Sequence, residues 1–89
     1  MFYMAVIERL SNLNQRVAAL VKERLPESSR FFLSECARPN IDLATANQHK
    51  PGLAAEYHLA YAEPYVTFVE RSEKHHAQFL EESLRRLRC

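Results

Sequence analysis

The chain has 89 residues, 47% of them hydrophobic and 26% charged, with a formal net charge of +1. That length suits a single helical domain, 1–89, whose core in this size class supplies only about 3–5 kcal/mol of net stability, so self-association would help it. The balanced composition excludes a disordered chain and one steered by a strong field of either sign, while a single glycine and few β-branched residues leave little material for hairpins or strands.

The fold class expected is therefore all-α, a small bundle of three to four helices. The first helix is expected from about Tyr3 to Arg24. Tyr3, Val6, Ile7, Leu10, Leu13, Val17, Leu20 and Val21 share one face, and Glu8, Arg9, Asn12, Gln15, Arg16, Lys22 and Glu23 share the other. Pro26 ends it by restricting Leu25. Asn14 falls inside the apolar face, either as an edge position reaching water or as a buried polar residue fixing helix register. The spacing of Asn14, Val17, Leu20, Val21 and Arg24 faintly resembles the opening helix of the all-helical chorismate mutases. This chain breaks at Pro26 and has no Gly-Lys-x-Lys segment, so that family's active site is not carried over.

Ser28 and Ser29 read as caps for a short second helix, about Arg30 to Ala37, carrying Phe31, Phe32 and Leu33. Arg38, Pro39 and Asn40 read as its break, and 41–51 as a loop with room for one helical turn after Asp42. From Leu53 to Arg88 the helical period is nearly continuous. A straight helix of that length extends about 54 Å, against about 30 Å for a compact domain of this size. A kink or break near Pro64 is the expected resolution, giving segments of about 53–62 and 64–88.

That last third carries the most informative pattern. Tyr57, Tyr61, Tyr65, Phe68, Val69, Phe79, Leu80, Leu84 and Leu87 recur at three- and four-residue spacing, which aligns side chains along a helix. Tyr57, Tyr61, Tyr65, Phe68 and Phe79 are the expected interaction surface, part core and part overhang that a second chain would cover.

Other constellations point less far. Glu73 and His76 have the Glu-x-x-His spacing of helical metal sites, but a di-iron site needs two such motifs, so the chain would have to dimerise and add Glu56, Glu63 or Glu70. His58, His75, His76 and Cys36 offer zinc-type ligands at spacings that match no recurring pattern, and consecutive histidines diverge by about 100° on a helix. Cys36 beside two phenylalanines reads as a small hydrophobe rather than a nucleophile, and Cys89 as an exposed terminal thiol. Arg85, Arg86 and Arg88 could grip nucleic-acid phosphates, or simply complement the helix dipole and pair with Glu81 and Glu82.

No catalytic fingerprint or phosphate-binding loop is present, which weighs against an enzyme, and no cofactor is expected. No apolar run approaches the roughly 20 residues of a membrane span. Two cysteines and an N-terminus unlike a signal peptide point to the cytoplasm. The leading expectation is a cytoplasmic interaction protein of adaptor, chaperone or inhibitor type, a homodimer or bound to a protein partner. The alternatives are a dimeric metal-binding bundle around Glu73 and His76, and a DNA-binding regulator using the C-terminal arginines.

Overall fold

The computed structural model describes residues 2–88, with side chains from Met4 to Leu87. The side chains of Tyr3 and Arg88, and Cys89 as a whole, lie outside the described residues. The architecture is all-α, as expected, and built from three helical rods. Helix α1 spans Phe2–Val21. The second rod joins α2 (Glu27–Phe31), a π-helical turn (Phe32–Ala37) and α3 (Arg38–Asn47), and α4 spans Ala54–Arg88.

The rods run up, down and up. Arg9 pairs with Glu63 and Arg16 with Glu70, the same offset of 54 positions at both pairs, which makes α1 and α4 parallel neighbours. In the second rod Phe32 stacks on Tyr65 and Asn40 reaches His58, so residue numbers rise on one helix as they fall on the other. All four ion-pair side chains are at least a third exposed, so each bridge contributes under about 1 kcal/mol and serves to fix register.

Burial supplies the cohesion. Val6, Leu10, Leu13, Val17 and Leu20 of α1 alternate by four and three, and Ala55, Leu59, Ala62, Val66 and Val69 of α4 do the same. The second rod contributes Leu33, Ala37, Ile41 and Ala44 to the same cluster. Alanines on both sides, Ala37 and Ala44 facing Ala55 and Ala62, allow these two rods to approach closely. Asn14 is exposed, so the polar position within the apolar run of α1 sits at its edge.

Three expectations are corrected. Residues 41–47 are helix, not loop: Pro39, the second residue of α3, directly follows the π-helical turn, so its missing N–H falls where the bonding pattern widens and the rod continues through it. The π-helical turn before it is marked by the Arg38 N–H, which donates to the Leu33 carbonyl five residues back. That wider turn also keeps the buried face aligned. Ser29, Leu33, Ala37 and Ile41 are spaced by fours, which on a regular α-helix drifts about 40° per step, and the extra residue in the turn takes up the drift. Ser28 and Ser29 do not cap: the rod begins after Pro26 with no side-chain cap, and Ser29 is buried within it.

The third correction concerns Pro64, where α4 neither breaks nor shows a kink. Pro64 is exposed and lies roughly 180° around the helix from the stripe of Ala62 and Val66. The carbonyl it leaves without a donor belongs to exposed Ala60. The core-side ladder is untouched, and packing on that side holds the helix straight. The molecule measures 60 × 24 × 17 Å, so the size mismatch is resolved by letting α4 project rather than by bending it.

Candidate interaction surface

The α1–α4 offset places Val21, the last residue of α1, level with position 75 of α4. The second rod begins near the same level and runs the other way. Residues 76–88 of α4 therefore extend past the bundle by about 20 Å. From His76 to Leu87 every side chain is exposed except half-buried Ser83.

The projecting end does not lose its apolar character. Ala77, Leu80, Leu84 and Leu87 follow Leu59, Ala62, Val66 and Val69 by 18 positions each, which is five turns at 3.6 residues per turn. They occupy the same angular positions as the buried core of α4. Leu59, Ala62, Val66 and Val69 are fully buried beneath α1 and the second rod, whereas Leu80, Leu84 and Leu87 are 48%, 56% and 82% exposed. The core-facing stripe thus runs on beyond the partners that cover it.

The aromatic set lies along a neighbouring face. Tyr57, Tyr61, Phe68 and Phe79 are exposed and Tyr65 is half-buried. Phe32 anchors the middle of this row, stacked on Tyr65 at 6.0 Å between centroids and edge-on to Phe68 at 5.3 Å, with exposed Phe31 beside it. At the far end the Tyr57 hydroxyl donates to Tyr61 at 3.3 Å, and that hydrogen bond pushes the Tyr57 pKa up. Nearby, the His58 ring is 3.1 Å from the Asn40 side-chain oxygen. The structure adds Phe31 and Phe32 to the surface. Their pairing could not be read from sequence because the π-helical turn that orients Phe32 carries no sequence period of its own.

The other predicted groups fall as follows. Glu73 and His76 line one open groove between the last turns of α1 and the 70–80 stretch of α4, together with Arg16, Ala19, Leu20 and Leu80. Glu70 at its edge is held by Arg16, 2.6 Å and 3.0 Å from the two carboxylate oxygens. These hydrogen bonds raise the Arg16 pKa above its ordinary value, so its charge is permanent at any working pH. Among the described residues no group of three or more His, Cys, Asp and Glu side chains converges so as to hold a metal ion. Cys36 is a free, half-buried thiol in the π-helical turn, whereas His49 lies in the turn after α3 and the other histidines on α4. Arg85 pairs with Glu81 at 2.9 Å one turn earlier, and Arg86 is exposed.

No protein-family model, curated protein or solved structure matches this chain. Among the described residues no helix is long and apolar enough to cross a membrane.

Proposed function

We propose that the protein is a small cytoplasmic interaction module, of adaptor, chaperone or inhibitor type, that acts by presenting the exposed face of α4 as a homodimer or to a protein partner. It performs no chemistry of its own. The observation that supports this reading is the five-turn repeat: a helix that packs its apolar stripe in one half carries the same stripe, uncovered, in the other. Exposed leucines at core spacing are a helix-in-groove or helix-pairing signature, in which anchors at three- and four-residue intervals enter a complementary apolar face. Aromatic side chains beside them supply the residue types enriched at interface centres.

Affinity capture with the wild-type chain and with a Phe79→Glu/Leu84→Glu variant tests the reading, with a differently tagged copy of the chain included among the prey. Both positions are exposed, so the fold should survive, as far-UV circular dichroism will confirm. A defined set of partners held by the wild type and lost from the variant is the expected result. Identical capture by both chains overturns it.

A further inference from the structure

Resting on that reading, we propose that the occupant of the projecting stripe is a second copy of this chain, docked antiparallel through residues 76–88. The face is self-complementary. A two-fold axis near position 82 sets Leu80 of each chain against Leu84 of the other, and Ala77 of each against Leu87 of the other. Four apolar layers form, and no polar residue is forced into the seam. The tip of each helix then arrives at the groove beside the end of α1, where Ala19 and Leu20 of the other copy lie exposed or at the margin of its core.

Sterics select the orientation. The bundle body sits on the same side of α4 as the stripe, because the stripe is the continuation of the core face. In a parallel pair both bodies would have to occupy the space between the two α4 helices. Reversing one chain puts the bodies at opposite ends and leaves only the projecting segments in contact. Reversal leaves the exposed Glu81–Arg85 pair of each chain on the edge of the seam, where Glu81 lies between the other chain's Arg85 and its Glu81, so the apolar stripe and the sterics, not the edge charges, set the orientation.

The contact length sets the strength. Two helices overlapping over about 20 Å bury roughly 300–400 Å² each, well short of the roughly 800 Å² per partner of a standard stable interface. The dimer is accordingly of the weak, transient class that lies below standard interface size.

Sedimentation equilibrium from about 5 to about 500 µM covers the concentrations at which a weak dimer forms. The wild-type chain should rise from 10.4 kDa toward twice that mass, and Leu84→Glu should stay at 10.4 kDa throughout with an unchanged circular dichroism spectrum. Orientation is read in a Cys36→Ser/Cys89→Ser background. Ser83→Cys, next to the axis, should oxidise to a linked dimer, whereas Ala77→Cys, about 15 Å from its copy, should not. A wild-type chain that remains monomeric across the series overturns the proposal, as does efficient linking through Ala77→Cys in place of Ser83→Cys. Partners captured by a monomeric wild type and lost on Leu84→Glu would remove self-association while leaving the interaction-module reading in place.

Discussion

Leu59 and Leu84 stand on one stripe of one helix, and truncating each to alanine should give opposite results in the monomer. Leu59 has no exposed surface and sits in the cluster shared by all three rods. Leu59→Ala removes its burial and leaves a cavity between rods that are pinned by α1 and α3, a loss of about 3 kcal/mol. For a chain of this length that corresponds to a fall in Tm of roughly 12–24 °C. Leu84 is 56% exposed and lies outside the core cluster, so Leu84→Ala removes no core contact. Its effect should stay within about 0.5 kcal/mol, with helix propensity favouring alanine slightly. Thermal unfolding followed at 222 nm, with protein held near about 5 µM so that the weak dimer is dissociated, separates the two. A Leu84→Ala chain destabilised as much as Leu59→Ala would mean that the end of α4 folds back onto the bundle, and the exposed-stripe description would fall.

Three further outcomes are expected. Pro64→Ala restores a backbone donor to the Ala60 carbonyl on the outer face of α4 and should stabilise the chain by about 1–3 kcal/mol in urea unfolding; a loss of stability would show that the proline is needed where it stands. Gly52 has φ of 104° with open space where a Cβ would go, so Gly52→Ala should cost about 1–2 kcal/mol from backbone strain alone, and an unchanged midpoint would refute that cause. Tyr61→Phe removes the acceptor of the Tyr57 hydroxyl, so Tyr57, followed by its ring NMR signals, should ionise closer to the ordinary value of about 10; an unmoved titration would show that the hydrogen bond does not set it.

Much of the fold was legible because its signals are periodic. The four-three spacing from Val6 to Leu20 and from Ala55 to Val69 marks two long helices, although the first stops at Val21, short of the Arg24 expected from Pro26, which instead precedes α2. The second rod was harder. Its buried face depends on Ala37, Ile41 and Ala44, small residues that give little hydrophobic contrast, and a Pro-Asn pair stands in its middle. Polar residues that suggest a loop are held in the helix by bonding back one turn. Asn40 donates to the Cys36 carbonyl, Thr45 to Ile41 and Asn47 to Leu43, at 2.7–3.0 Å. The Pro64 expectation failed for a geometric reason, since its face relative to the core decides whether a helical proline bends the rod. The aromatic and leucine positions of α4 could be listed from sequence. Which of them are covered could not, because that depends on where α1 stops relative to α4, a matter of tertiary register.

Hydrogen exchange at 76–88, measured at a series of protein concentrations, probes the uncovered stripe most directly. A projecting helix of that length is marginal on its own in water, so its amides should exchange fast in dilute solution. As concentration rises through the micromolar range, protection should grow at 76–88 while the amides around Leu59 to Val69 stay unchanged. Protection at 76–88 that is the same at every concentration, whether high or low, would contradict the assignment of this segment as the face on which the protein associates with itself.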